Sequence, residues 1–146
     1  MNSIRAKISG IEAYLPEYIL TNDELATMVD TSDEWIMSRV GIKQNGLGTS
    51  FMGEQAVKKL LAATHTAPEE IDLLICATVS PDMLFPATAN IISDKCGILN
   101  AWGYDINAGC CGFLYSSYTV ANFIESGRYK KAILVCGERM SGLTGY

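Results

Sequence analysis

The sequence predicts an α/β fold in which helices pack on both faces of a mostly parallel, mixed sheet. Apolar and polar periodicities order the elements as β-α-α-α-β-α-β-α-β, the alternation that crossover connections between parallel strands produce. Residues 71–79 form a near-continuous apolar run, as expected of a strand covered on both faces. Hydrophobic residues make up 49% of the 146 and charged residues 18%, a balance that supports one domain with a real core rather than a disordered chain.

Residues 4–14 form the first expected strand, closed by Leu15 and Pro16. Asn22 then caps a short helix with Asp23 and Glu24 in its first turn, where negative charge meets the helix dipole. Thr31 and Glu34 have the spacing of a capping box, so Trp35 and Arg39 fall one turn apart on one face of a second helix. A tryptophan and an arginine so placed can sandwich a flat base by stacking and cation–π attraction. The plainer alternative is a half-buried tryptophan whose indole N–H is taken by a neighbour. A short connector with Gly46 and Gly48 follows, in itself a weak signal for phosphate binding.

Residues 50–64 read as an amphipathic helix with Met52, Ala56, Leu60 and Ala63 on its apolar side. His65, the sole histidine, falls at its end and reads as a solvated terminal residue rather than a catalyst. After the strand at 71–79, residues 80–88 form a loop leading into a helix, with Pro86 suited to the first turn. Residues 101–106 are the third strand and 131–137 the fourth. Between them a helix stops at Ser126 and Gly127.

The chain is organised around Tyr104-Asp-Ile-Asn-Ala-Gly-Cys-Cys-Gly-Phe113, where a strand ends, small residues turn the chain, and a helix begins from about Cys110. Unpaired N–H groups at a helix start carry partial positive charge. A thiol there loses its proton more readily, and the thiolate is the nucleophile. The same N–H groups, those of Cys110 and Gly112 in particular, are suited to hold an oxyanion. Against this stands the ordinary role of cysteine as a buried small hydrophobe. What distinguishes Cys110 is its setting between strand and helix.

Five cysteines, none in a Cys-x-x-Cys pair, and one histidine argue against a disulfide framework and against a zinc site, so no metal is expected. Reduced thiols fit a cytoplasmic setting. A net charge of −5 without a basic run argues against a nucleic-acid partner. Neither a signal peptide nor an apolar run of membrane-spanning length is present, so no membrane association is expected.

The nucleophile stretch resembles that of the 3-oxoacyl-[acyl-carrier-protein] synthase III family of the thiolase superfamily, in which a small residue and a cysteine precede Ala or Ser and Gly-Phe. Anchored on Gly112-Phe113, the nucleophile falls on Cys110, and Cys111 stands where the family has Ala or Ser. The stretch Asp30-Thr-Ser-Asp-Glu-Trp-Ile36, followed by Arg39 and Gly41-Ile42, resembles a second signature of the same family. By resemblance, Trp35 and Arg39 hold the adenine end of coenzyme A with Thr31 nearby. Phe85 crosses a dimer interface to line the partner's acyl pocket, and Met140 falls near a position that lines it. Core packing under the loop is the alternative for Phe85.

The resemblance implies a thiolase-like fold of two βαβαβαββ halves, of which residues 1–146 would be the N-terminal one without its last strand. It implies no cofactor, with acyl-coenzyme A and malonyl-acyl carrier protein as substrates, and a homodimer paired through the strand at 101–106. The implied reaction begins fatty-acid synthesis: a cysteine takes an acyl group from acyl-coenzyme A and condenses it with malonyl-acyl carrier protein. The family's His and Asn, which promote decarboxylation, have no counterpart in this sequence, so the chain alone is not expected to complete the reaction. The connector at 41–50 is shorter than in family members and lacks their arginines. The competing readings are a non-catalytic dimerisation or coenzyme A-binding module of thiolase ancestry, and a redox pair formed by Cys110 and Cys111. Adjacent cysteines bridge only with strain, which disfavours the second.

Overall fold

The centre of the structure is a strand with no exposed residue. In the computed structural model, which describes residues 4–17, 27 and 48–140, β1 (Leu73–Ala77) is buried at every position. It pairs in parallel with β2 (Trp102–Ile106) on one side and β3 (Ala132–Cys136) on the other, giving the order β2-β1-β3. Among the described residues, β2 and β3 are therefore the sheet edges. The expected helix after Asn22 and the segment carrying Thr31, Trp35 and Arg39 lie outside the described residues.

Side chains alternate along β1 and divide the molecule into layers. Leu74 and Cys76 face one side, with their register partners Ile133 and Val135. There they join Val57 and Leu61 of α1 (Thr49–Ala63) and Ala89 and Ile92 of α2 (Thr88–Lys95) in one buried cluster. On the opposite face α3 (Gly112–Glu125) packs against β1 and β3. On that same face, at the start of β2, the ring of Trp102 meets Phe123 edge-on at 5.5 Å and stacks on Tyr129 at 6.4 Å. The helix-covered, mostly parallel sheet expected from the sequence is thus present, and its described strands are all parallel.

Ile92 is fully buried between α1 and the sheet. Truncation there leaves a cavity that the packed neighbours cannot fill, so Ile92→Ala is expected to cost about 2–5 kcal/mol. A urea denaturation midpoint unchanged by this substitution would contradict the packing described.

Three sequence expectations are corrected. Residues 4–14 form no strand: Ile4, Ile8 and Ile11 are 53, 73 and 81% exposed. A strand exists only when its backbone finds a partner, and this segment is instead held over α1. Gly10 lies so close that a Cβ there would fall 2.5 Å from Thr64 Cγ2, and Tyr14 meets Phe51 edge-on at 5.9 Å. The buried stripe of α1 is Gly53, Val57 and Leu61, not Met52, Ala56, Leu60 and Ala63. The absent side chain of Gly53 turns that face inward, because a Cβ would sit 2.4 Å from Ile92 Cδ1. Leu60 contributes only from the margin of the cluster, and Ala63 is exposed. Finally, Pro86 precedes the N-cap Ala87 and so lies outside the first turn of α2. That turn is fixed instead at Thr88 and Ala89, whose N–H groups donate to the Asp105 carboxylate.

Candidate active site

Parallel strands bring their C-terminal ends to one end of the sheet, and three loops meet there. The loop after β2 carries the nucleophile candidate. Beyond Ile106 the chain makes one 3₁₀ turn, Gly109–Cys111, and passes directly into α3. Gly109 has φ +51°, a left-handed conformation that glycine takes without strain, so the abrupt change of direction falls on the residue suited to it. Cys110 and Cys111 follow, both exposed and both free thiols. Within this chain Cys110 is exposed rather than packed in the core, and the two thiols are not bridged.

The turn is tied down from within. The Cys111 N–H donates to the Ala108 carbonyl at 3.1 Å, and the Gly112 N–H donates to that of Gly109. Gly112 is therefore already committed as a donor, and its visible role is packing. A Cβ on it would fall 3.0 Å from Ala77 Cβ, so only glycine lets α3 begin this close to the central strand. One turn on, Ser116 is fully buried against the same face. Small residues at both positions hold α3 down and fix where Cys110 emerges.

The loops after β1 and β3 are locked to each other. The Glu138 carboxylate accepts from the Val79 N–H at 2.9 Å, from Thr78 Oγ1 at 3.2 Å and from the Ser80 hydroxyl. Ser80 Oγ in turn accepts from the Arg139 N–H at 2.6 Å, and Thr49 Oγ1 donates to the Ser80 carbonyl at 2.6 Å. Met140 follows this lock directly and is 38% exposed, at the same end of the sheet as Cys110. Phe85 is 87% exposed and so is not packed under its loop within this chain. Cys110, Met140 and the loop bearing Phe85 are thus gathered at one end of the sheet, while Thr31, Trp35 and Arg39 fall outside the described residues.

Sequence reasoning did not single out Asp105 or Glu138. The signal for Asp105 was available: a carboxylate inside a strand otherwise fit for burial needs a partner, and its partners are the N–H groups that open α2. Glu138 carried no comparable signal, because its partners lie 58–60 residues earlier in the chain.

Burial separates the five thiols. It pushes Cys76 strongly upward in pKa, and it raises Cys96 to about 11, with the Lys58 ammonium pulling the other way. Burial also raises Cys136, and the nearby Glu138 carboxylate adds to the effect. Because a raised thiol pKa lowers the thiolate fraction at any given pH, Cys96 at pH 8 is about one part in a thousand thiolate. Iodoacetamide at pH 8 is therefore expected to label the exposed Cys110 and Cys111 and to spare Cys76 and Cys96, with Cys96 labelling rising only toward pH 11. Peptide mapping in which Cys96 reacts as fast as Cys110 at pH 8 would overturn this ordering.

Comparisons with known proteins agree with this geometry. Residues 104–146 match the model of the 3-Oxoacyl-[acyl-carrier-protein (ACP)] synthase III family. Over its entire length the chain is 51% identical to beta-ketoacyl-[acyl-carrier-protein] synthase III 2 of Bacteroides thetaiotaomicron, covering 45% of that protein. It thus spans about half the length of the curated relatives it matches. Among solved structures, 3-oxoacyl-[acyl-carrier-protein] synthase III from Aquifex aeolicus superposes with a TM-score of 0.83 at 38% identity, over 91% of this chain and 44% of that one. The priming beta-ketosynthase of the R1128 polyketide pathway superposes with a TM-score of 0.81 at 31% identity, over 90% of this chain and 41% of that one. With its thiolase-like α/β fold and its exposed cysteine between β2 and α3, the chain is similar over its whole length to members of the 3-oxoacyl-[acyl-carrier-protein] synthase III family.

Proposed function

We propose that the chain supplies the nucleophile of a condensing enzyme that initiates fatty-acid synthesis, an acyltransferase acting on acyl-coenzyme A and malonyl-acyl carrier protein. The observation that carries this reading is the exposed Cys110 thiol on a packed turn at the C-terminal end of the sheet. In the first step the Cys110 thiolate attacks the thioester carbonyl and a tetrahedral oxyanion forms. With the Gly112 N–H already donating within the turn, the donor assigned to the oxyanion is the Cys110 N–H. Collapse breaks the carbon–sulfur bond to coenzyme A, which leaves as a thiolate and takes up a proton. In the second step malonyl-acyl carrier protein loses CO2, and the resulting carbanion attacks the acyl-enzyme. The Cys110 thiolate is expelled and 3-oxoacyl-acyl carrier protein is formed.

In this reading residues 1–146 act as the N-terminal half of a two-half thiolase-like enzyme, in the cytoplasm. Among the described residues no helix is long and apolar enough to cross a membrane. Trp35, Arg39 and Thr31 hold the adenine end of coenzyme A. Phe85 reaches into the acyl pocket of a second subunit, and Met140 lines the pocket. Two features support a homodimer: β2 is an open edge among the described residues, and the loop bearing Phe85 presents apolar side chains to solvent.

The test is incubation with labelled acetyl-coenzyme A and peptide mass spectrometry. A thioester on Cys110 is expected. Binding of coenzyme A without a thioester would favour the non-catalytic binding module.

A further inference from the structure

The loop between β1 and α2 presents Met83, Leu84 and Phe85 in succession at 50, 100 and 87% exposure. Apolar side chains so exposed do not anchor themselves, and the loop is held by polar contacts at both ends. At its start the Ser50 N–H donates to Asp82 Oδ2 at 3.2 Å. Gly48 makes room for that carboxylate, since a Cβ there would fall 2.5 Å from Asp82 Oδ1. At its end the Thr88 and Ala89 N–H groups donate to the two Asp105 oxygens at 2.7 and 2.8 Å. Asp105 belongs to β2, the strand that delivers Cys110.

We propose that Asp105 is a positioning residue for acyl-chain selection: from the nucleophile's own strand it fixes the start of α2 and thereby the stance of the Met83–Phe85 loop. The inference rests on the reading of Phe85 as part of an acyl pocket. A charged acceptor shared by two backbone donors is stronger and more directional than a neutral one. Without it the loop loses the anchor that ties its α2 end to the nucleophile strand, while at its β1 end the Thr78 N–H still donates to the Ile106 carbonyl at 3.0 Å. The turn at Cys110 is held separately, by Gly112 against Ala77. Loosening Asp105 should therefore change which acyl chain fits more than it disturbs the sulfur.

The test uses the full-length protein that carries these residues. Acetyl- and hexanoyl-coenzyme A compete for Cys110, and the ratio of the two thioesters is read for the wild type, Phe85→Ala, Asp105→Asn and the double variant. Phe85→Ala and Asp105→Asn are expected to move the ratio in the same direction, Asp105→Asn on the order of tenfold. The double variant should go no further than Phe85→Ala alone, as for two residues acting through one element. Amide exchange at Thr88 and Ala89 should quicken in Asp105→Asn. If Phe85→Ala shifts the ratio but Asp105→Asn does not, the inference fails while the proposed function stands. If Phe85→Ala leaves the ratio unmoved, the acyl-pocket role of the loop fails and takes the inference with it. Should Asp105→Asn not fold, Asp82→Asn loosens the other anchor: a shift in the same direction supports the proposal, and no shift overturns it.

Discussion

Cys110→Ser is expected to abolish acyl transfer from acetyl-coenzyme A, lowering acyl-enzyme formation by about a thousandfold or more. The change is one atom on an exposed side chain, so it leaves no cavity and breaks no described hydrogen bond. Stability should stay within about 0.5 kcal/mol of the wild type, as for most surface substitutions. Loss of acylation with an unchanged melting curve therefore assigns the effect to chemistry. Cys111→Ser is the informative partner. It alters the adjacent exposed thiol, whose backbone N–H already closes the 3₁₀ turn on Ala108. Acylation that survives Cys110→Ser but is lost in Cys111→Ser would move the nucleophile by one residue.

Gly112→Val carries the second large effect, on stability and activity together. The nearest atom to an added Cβ is Ala77 Cβ at 3.0 Å, on the central strand of the sheet. Ala77 is 6% exposed and cannot step aside without moving β1, which both other strands hold in register. α3 must therefore lift at its first residue. Overpacking of this kind costs about 1–3 kcal/mol. The turn bearing Cys110 precedes the lifted residue directly, and a misplacement of about 1 Å at a reacting group costs on the order of a hundredfold in rate. Urea denaturation and the rate of thioester formation measure the two consequences. Equal stability and rate in Gly112→Val would show that the close approach of helix and strand is not needed.

The parts of this fold legible in the sequence are those whose chemistry is local. β1 announced itself as an unbroken apolar run. The small residues through Gly109 marked a turn, and Cys110 stood out because a strand, that turn and a helix met at one place. The parts not legible depend on what packs where. The face of α1 was misread because apolar periodicity counts methyl groups, whereas Gly53 marks the buried face by having none. Residues 4–14 have the composition of a strand, but composition cannot supply the partner that makes one. Glu138 looked like an ordinary surface acid after a strand, and only the folded chain brings it to Thr78, Val79 and Ser80. Thr31, Trp35 and Arg39 were assigned to coenzyme A by resemblance alone, and they fall outside the described residues.

The middle strand of the sheet is also the first of the three to be synthesised. As the ribosome extends the chain from its N-terminus, Leu73–Ala77 emerges before either neighbour exists, and its first partner, Trp102–Ile106, follows only after an intervening helix. Its other flank stays open until Ala132–Cys136 has left the tunnel. For that interval a segment destined for burial at every position has no neighbour to pair with, the condition under which transiently exposed apolar chain invites aggregation or a chaperone.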